Sequence, residues 1–291
     1  MAGVAGAGTM GRGIAQVLAQ GGARTLVYDA QPGAARKARE SIAQALGRLA
    51  EKGRLSAADA DRIVGRIETV DALDAFAPCH VVVEAIVEDL QAKRTLFSSL
   101  EERVQQDCIL ASNTSSLSVT AMAAACKRPG RVAGYHFFNP VPLMKLVEVV
   151  KTILTDDDVY EQAVDFGKKL GKVPVRAGDK TGFIVNRLLV PYMLDSIRAL
   201  EEGVGSIVDI DNAMKLGCGY PMGPFTLGDF VGLDTTYYIA EIMFNEFREK
   251  RFAPPPLLKR MVLAGLYGRK SGRGFYDYTK DPKNPTPMNL V

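Results

Sequence analysis

The chain has 291 residues, 47% hydrophobic and 24% charged, with a formal net charge of +3; this composition excludes a disordered or fibrous protein and is long enough for about two domains. The positive excess is small and its lysines and arginines are dispersed, which argues against a nucleic-acid surface while tolerating a phosphate-bearing substrate. The four cysteines, Cys79, Cys108, Cys126 and Cys218, show no metal-ligand or disulfide spacing, no apolar run approaches the ~20 residues that span a bilayer, and no leader pattern opens the chain; no metal, no membrane and a reducing, cytoplasmic setting are expected.

Residues 2–5 predict a short buried strand. Gly6-Ala7-Gly8-Thr9-Met10-Gly11 follows, and Ile14, Val17 and Leu18 then fall at helix spacing until Gly21-Gly22. Thr25–Tyr28 predicts a second strand, closed by Asp29. This order suits a dinucleotide. Gly6 permits a tight turn, Gly8 lets backbone approach a pyrophosphate, and Gly11 lets helix pack on strand. The helix then presents free N–H groups to the phosphates. Asp29 is placed to accept hydrogen bonds from ribose hydroxyls and would repel a 2′-phosphate, so NAD is expected rather than NADP. A first strand this short is expected to be held by its neighbours.

Residues 33–66 predict an inserted helical hairpin. Ala38, Ile42, Ala45, Leu46 and Leu49 share one helix face, Gly53 stops it, and Ser56-x-x-Asp59 opens the second helix. Arg48, Lys52 and Arg54 near its turn read as a solvated tip, or as a rim for substrate phosphates. His80–Ala85 predicts a buried strand, with His80 structural. Glu88 and Lys93 read as ordinary residues near the start of the next helix, in a loop that faces the cofactor in such folds. Cys108–Ala111 predicts another strand. It ends in Ser112-Asn113-Thr114-Ser115-Ser116, where ligands bind in open α/β sheets, and Ser118 caps the next helix.

Val132–Tyr135 predicts a strand with His136 at its end. The link to the Leu146–Val150 strand is too short for a crossover helix, so the two are expected to be antiparallel neighbours. That brings Glu148 beside His136. An unpartnered carboxylate in Leu-Val-Glu-Val-Val would cost several kcal/mol, and a histidine partner removes much of that cost. His136 is therefore read as an acid–base group and Glu148 as its anchor. A helix follows Thr155–Asp158, and Lys172–Val175 predicts the last strand. From Thr181 strand signals nearly vanish. Residues 1–181 are expected to form a Rossmann-type, mostly parallel α/β domain, and 182–291 a smaller all-helical domain. Asn186 is the polar exception in the apolar start of that domain, a satisfied core amide or a group aimed into the cleft. Pro191 falls within its first helix, Ser206-x-x-Asp209 caps another, and Lys270–Tyr276 is a glycine-rich basic loop. The tail after Pro282 is expected to be loosely ordered. The apolar faces of so small a helical domain predict a homodimer.

The stretches Gly6–Gly11, Val81–Glu88, Ser112–Leu117, His136–Pro142, Met144–Val149, Gly182–Arg187, Met222–Asp234 and Gly268–Tyr278 together resemble the L-3-hydroxyacyl-CoA dehydrogenase family, most closely its compact bacterial 3-hydroxybutyryl-CoA dehydrogenases. The resemblance implies His136 as catalytic base with Glu148 as its partner, and Ser115 and Asn186 on the substrate oxygens. It implies Gly6, Gly8, Thr9, Met10, Gly11, Asp29, Glu88, Lys93, Asn113, Ser115, Asn139 and Lys270 along an NAD site, and Lys52 as a contact for coenzyme A. The substrate is then an acyl-CoA, the site lies between the domains, and the homodimer forms through the helical domain. The chain departs from the family in its clipped first strand and in His80, where a small acidic residue is usual. A related two-domain dehydrogenase of a sugar acid such as L-gulonate, or a non-catalytic NAD-binding relative, is the alternative.

Overall fold

The computed structural model describes residues 1–290, and the chain falls into two compact units, the first ending at Phe183 and the second starting at Ile184. In the first, eight strands form one sheet: β1 (Ala2–Ala5), β2 (Thr25–Tyr28), β3 (Ile67–Val70), β4 (Val81–Glu84), β5 (Ile109–Ser112), β6 (Val132–Phe137), β7 (Leu146–Lys151) and β8 (Val173–Gly178). Their spatial order is β3-β2-β1-β4-β5-β6-β7-β8. The strands from β3 to β6 are parallel, β7 runs antiparallel to β6, and β8 is parallel to β7. The order reverses between β1 and β4, the crevice where nucleotides bind in doubly wound sheets.

β1 has four residues, all buried and all paired on both sides, to β2 and to β4. Its neighbours supply every ladder bond that its brevity leaves open. Helices α1 (Thr9–Gln20), α4 (Leu90–Glu101), α5 (Val119–Ala123) and α6 (Asp157–Lys169) make the crossovers. Ile14, Val17 and Leu18 of α1 are buried with Val4, Val27 and Val83 of the sheet. The inserted hairpin is α2 (Ala34–Glu51) and α3 (Ala57–Gly65), with Ile42, Leu46 and Ile63 turned into the same core. Ser56 caps α3 by accepting the Asp59 N–H, and Ser118 caps α5 in the same way through Ala121.

β3 is an element not predicted from the sequence, between the hairpin and the His80–Ala85 strand. Its sequence, Ile-Glu-Thr-Val, has one buried position of four and lies at the sheet edge, so it carries almost no apolar alternation to detect.

The second unit is built from α7 (Val185–Glu201), α8 (Ile207–Cys218), α9 (Pro224–Val231), α10 (Leu233–Phe247) and α11 (Pro256–Leu263). Val190, Leu194, Ile197, Phe225, Met243 and Leu258 centre its core. Pro191 lies inside α7, and Ser206 caps α8. A two-residue ladder, β9 (Tyr276–Asp277) with β10 (Thr286–Pro287), corrects the expectation of a loose tail, because Met288 N–H also bonds Phe275. No described helix is long and apolar enough to cross a membrane.

Candidate active site

The turn between β1 and α1 shows the division of labour that a nucleotide loop needs. Gly6 has φ +106°, and a Cβ there would strike the Ala85 carbonyl. A Cβ on Gly11 would strike the Gly6 carbonyl, whereas at Gly8 it would meet nothing within 4 Å. Space has been left above Gly8 while the other two glycines are required by packing. Gly8 caps α1 without a side-chain hydrogen bond, so the first-turn N–H groups of Thr9, Met10 and Gly11 are left to a ligand. Asp29, at the end of β2, accepts the Ala7 N–H at 2.7 Å and the Gln31 N–H at 2.8 Å. Its carboxylate pins the loop and stays half-exposed. These features fit a dinucleotide pyrophosphate and ribose.

Beside this loop a cavity of about 370 Å³ opens, lined among others by Thr9, Arg12, Ser41, Arg48, Asn139 and Pro142. Lys52 does not line it; it sits exposed at the end of α2.

At the carboxyl ends of β4 and β5 the side chains interlock. Lys93 corrects the expectation of an ordinary surface residue, being 1% exposed. Its Nζ lies 2.6 Å from Glu84 Oε1 and 3.2 Å from Glu88 Oε2. Glu88 in turn accepts from Thr114 Oγ1, and from Ser115 N–H and Ser116 Oγ at 3.3 Å each. Asn113 Oδ1 accepts the Phe137 N–H at 2.9 Å, tying the end of β5 to the residue after His136. Glu84 had no signal in the sequence beyond a carboxylate closing an apolar strand.

His136 and Glu148 face each other in the β6–β7 register. His136 Nδ1 and Glu148 Oε2 are 2.7 Å apart, with the carboxylate fully buried. The imidazole is flanked by Phe138, at 4.4 Å between ring centroids, and by Phe183 at 5.6 Å. A carboxylate accepts only, so Nδ1 carries the proton and Nε2 is left as the acceptor. Lys172 holds the connection between the two strands: its Nζ donates to the carbonyls of Val141 at 2.6 Å and Met144 at 2.7 Å. Burial holds this ammonium below the usual lysine range. Asn139 lies exposed on the same connection.

Two of the expected site residues belong to the second unit. Asn186 is the second residue of α7 and half-buried. Lys270 lies in a single turn after Gly268, its Nζ 2.6 Å from the Asp234 carboxylate.

A doubly wound sheet with a nucleotide turn at one strand end and a histidine–carboxylate pair at another defines a nicotinamide-dependent dehydrogenase. Residues 1–180 match the model of the 3-hydroxyacyl-CoA dehydrogenase NAD-binding domain, and 182–278 match that of its C-terminal domain. The chain belongs to the 3-hydroxyacyl-CoA dehydrogenase family. It is 47% identical to a probable 3-hydroxybutyryl-CoA dehydrogenase of Deinococcus radiodurans, over 95% of this chain and 99% of that one. It is 46% identical to the human mitochondrial hydroxyacyl-coenzyme A dehydrogenase, over 94% and 90% of the two chains. The crystal structure of (S)-3-hydroxybutyryl-CoA dehydrogenase PaaH1 from Ralstonia eutropha superimposes with a TM-score of 0.92 at 39% identity, covering 96% of this chain and 99% of that one.

Proposed function

We propose that the protein interconverts short-chain (S)-3-hydroxyacyl-CoA thioesters, 3-hydroxybutyryl-CoA foremost, and their 3-oxo counterparts with NAD. The observation that carries this reading is the buried His136–Glu148 pair at 2.7 Å, on the same sheet as the open glycine turn. The relatives named above act on such thioesters by their names.

Gly6–Gly11 and Asp29 would hold NAD, whose nicotinamide would accept the hydride leaving C3 of the substrate. His136 Nε2 takes the proton of the 3-hydroxyl as the C3–H bond breaks, and in the reverse direction returns it to the developing alkoxide. Glu148 keeps the tautomer and stabilises the imidazolium. General acid–base assistance of this kind contributes about 10²–10⁴-fold. Ser115 and Asn186 hydrogen-bond the substrate oxygens. Glu88, Lys93, Asn113, Asn139 and Lys270 order the cofactor site, and Lys52 meets the coenzyme A moiety. Asp29 favours a free ribose 2′-hydroxyl over a 2′-phosphate. The chain works in the cytoplasm as a homodimer formed through its second unit, which exposes Leu188, Val204, Leu216 and Leu263.

The test is a spectrophotometric assay of the purified protein with reduced nicotinamide. Acetoacetyl-CoA with NADH is expected to turn over, with much slower reaction from NADPH or from the free keto acid. Turnover of free keto acids with NADH, without any on the thioester, would instead place the protein with dehydrogenases of the L-gulonate kind.

A further inference from the structure

Glu84 closes β4 and has no exposed surface. It cannot touch a ligand, yet both its oxygens lead toward the Ser112–Ser116 run. Oε2 accepts Ser112 Oγ at 2.7 Å, and the same Oγ accepts the Thr114 N–H at 3.1 Å. Oε1 accepts Lys93 Nζ at 2.6 Å and the Ile86 N–H at 2.7 Å. Lys93 then reaches Glu88, which accepts from Thr114, Ser115 and Ser116. One buried carboxylate therefore grips the run from two sides: directly at its first residue, and through an ammonium and a second carboxylate at its later ones.

We propose that Glu84 is a positioning residue for the reaction, setting the backbone of Ser115 through Ser112 and through the Lys93–Glu88 pair. This rests on the reading of Ser115 as a substrate and nicotinamide contact. Burying an ion pair is a poor way to gain stability, since matched apolar residues usually do as well. What charged, directional bonds add is geometry, and here four of them end on a five-residue segment. A displacement of about an ångström in a positioning group costs on the order of 10²-fold in rate.

The test is a double-mutant cycle on the full-length protein, with kcat and the KM for NADH measured well below the thermal transition of each variant. Glu84→Gln keeps the side-chain size and removes the charge that holds Lys93. It is expected to lower kcat about tenfold, the worth of one hydrogen bond to a charged group, with a smaller change in the KM for NADH because Asp29 and the α1 N-terminus keep their ribose and pyrophosphate contacts. In a Ser115→Ala background the same substitution is expected to cost less than about twofold, since its effect passes through Ser115. Losses that multiply would overturn the link between Glu84 and Ser115 and leave the role of Ser115 standing. Full activity in Ser115→Ala alone would remove that role and the proposal with it. If Glu84→Gln does not fold, Ser112→Ala, which deletes only the bridging hydroxyl, enters the same cycle with the same outcomes.

Discussion

A carboxylate without exposed surface inside Leu-Val-Glu-Val-Val must either find a donor or cost several kcal/mol; Glu148 finds His136 Nδ1 at 2.7 Å. His136→Gln removes the proton acceptor and leaves the glycine turn intact. Turnover should fall by about 10²–10⁴-fold while NADH still binds, as followed by the nucleotide's fluorescence; near wild-type turnover would remove His136 as the base. Glu148→Gln should cost about 10–100-fold in kcat, because a neutral amide does not stabilise the imidazolium, and it should alter the pH–rate profile. An unchanged profile would separate the two residues. This pair was legible in the sequence because a short link between two strands dictates an antiparallel register, and register brings position 148 back to position 136. Glu84, Lys93 and Lys172 were not legible in their roles. Their partners lie on other strands and loops, and a lone charged residue beside an apolar run looks the same whether it faces solvent or a buried carbonyl.

Single elements position the site in ways that their own sequences do not announce. Lys172 precedes β8 and spends its ammonium on two carbonyls of the β6–β7 connection. Lys172→Met fills the same volume and leaves both acceptors unpaired. The expected loss is about 1–3 kcal/mol in urea unfolding, the cost of leaving the buried Val141 carbonyl unsatisfied, and a loss below about 0.5 kcal/mol would show that water replaces the ammonium. In the second unit the segment from Gly268 to Tyr278 is tied to α9 by Asp229. Its carboxylate accepts the N–H groups of Phe275 and Tyr276 at 2.9 Å and the Tyr278 hydroxyl at 3.1 Å. Burial outweighs these bonds, with Asp211 adding to it, and pushes the Asp229 carboxyl up to about 6. A folded value above the unfolded one means that the native state holds the proton more tightly. The resulting stability is full below the unfolded value near 3.8 and is lost as pH rises to about 6. Between pH 4.5 and 7.5 the wild type should therefore lose about 2 kcal/mol relative to Asp229→Asn, which cannot ionise. Chemical denaturation at the two pH values measures this, and a constant difference between the proteins would exclude the titration. The edge strand β3 escaped detection because it buries too little to leave a pattern, whereas β4, buried throughout, was predicted.

At the scale of the molecule, the alternation of strands and helices up to Gly178 and its disappearance afterwards were visible because the two units use different hydrophobic periods. The first is cored by clusters drawn from residues 2–183, and the second by a cluster drawn from residues 190–278. The pairing of Tyr276–Asp277 with Thr286–Pro287 was not visible, since two-residue strands have no period at all. The surface of the second unit leads to the last expectation. Leu188 is 71% exposed, Leu216 84% and Leu263 78%, and each would gain about 1.5–3 kcal/mol if fully covered. A second copy of the chain can cover such residues symmetrically, because the same patch meets itself across a two-fold axis. Sedimentation equilibrium should then give a dimer for the wild type. Leu188→Glu and Leu216→Glu each place two like charges near the interface of a symmetric pair, so whichever leucine lies within it should weaken association by at least about tenfold. Stability of the monomer should be unaffected, since both side chains already face solvent in the isolated chain. A wild type that sediments as a monomer at micromolar concentration, or a dimer indifferent to both substitutions, would mean that the second unit does not join two copies through these residues.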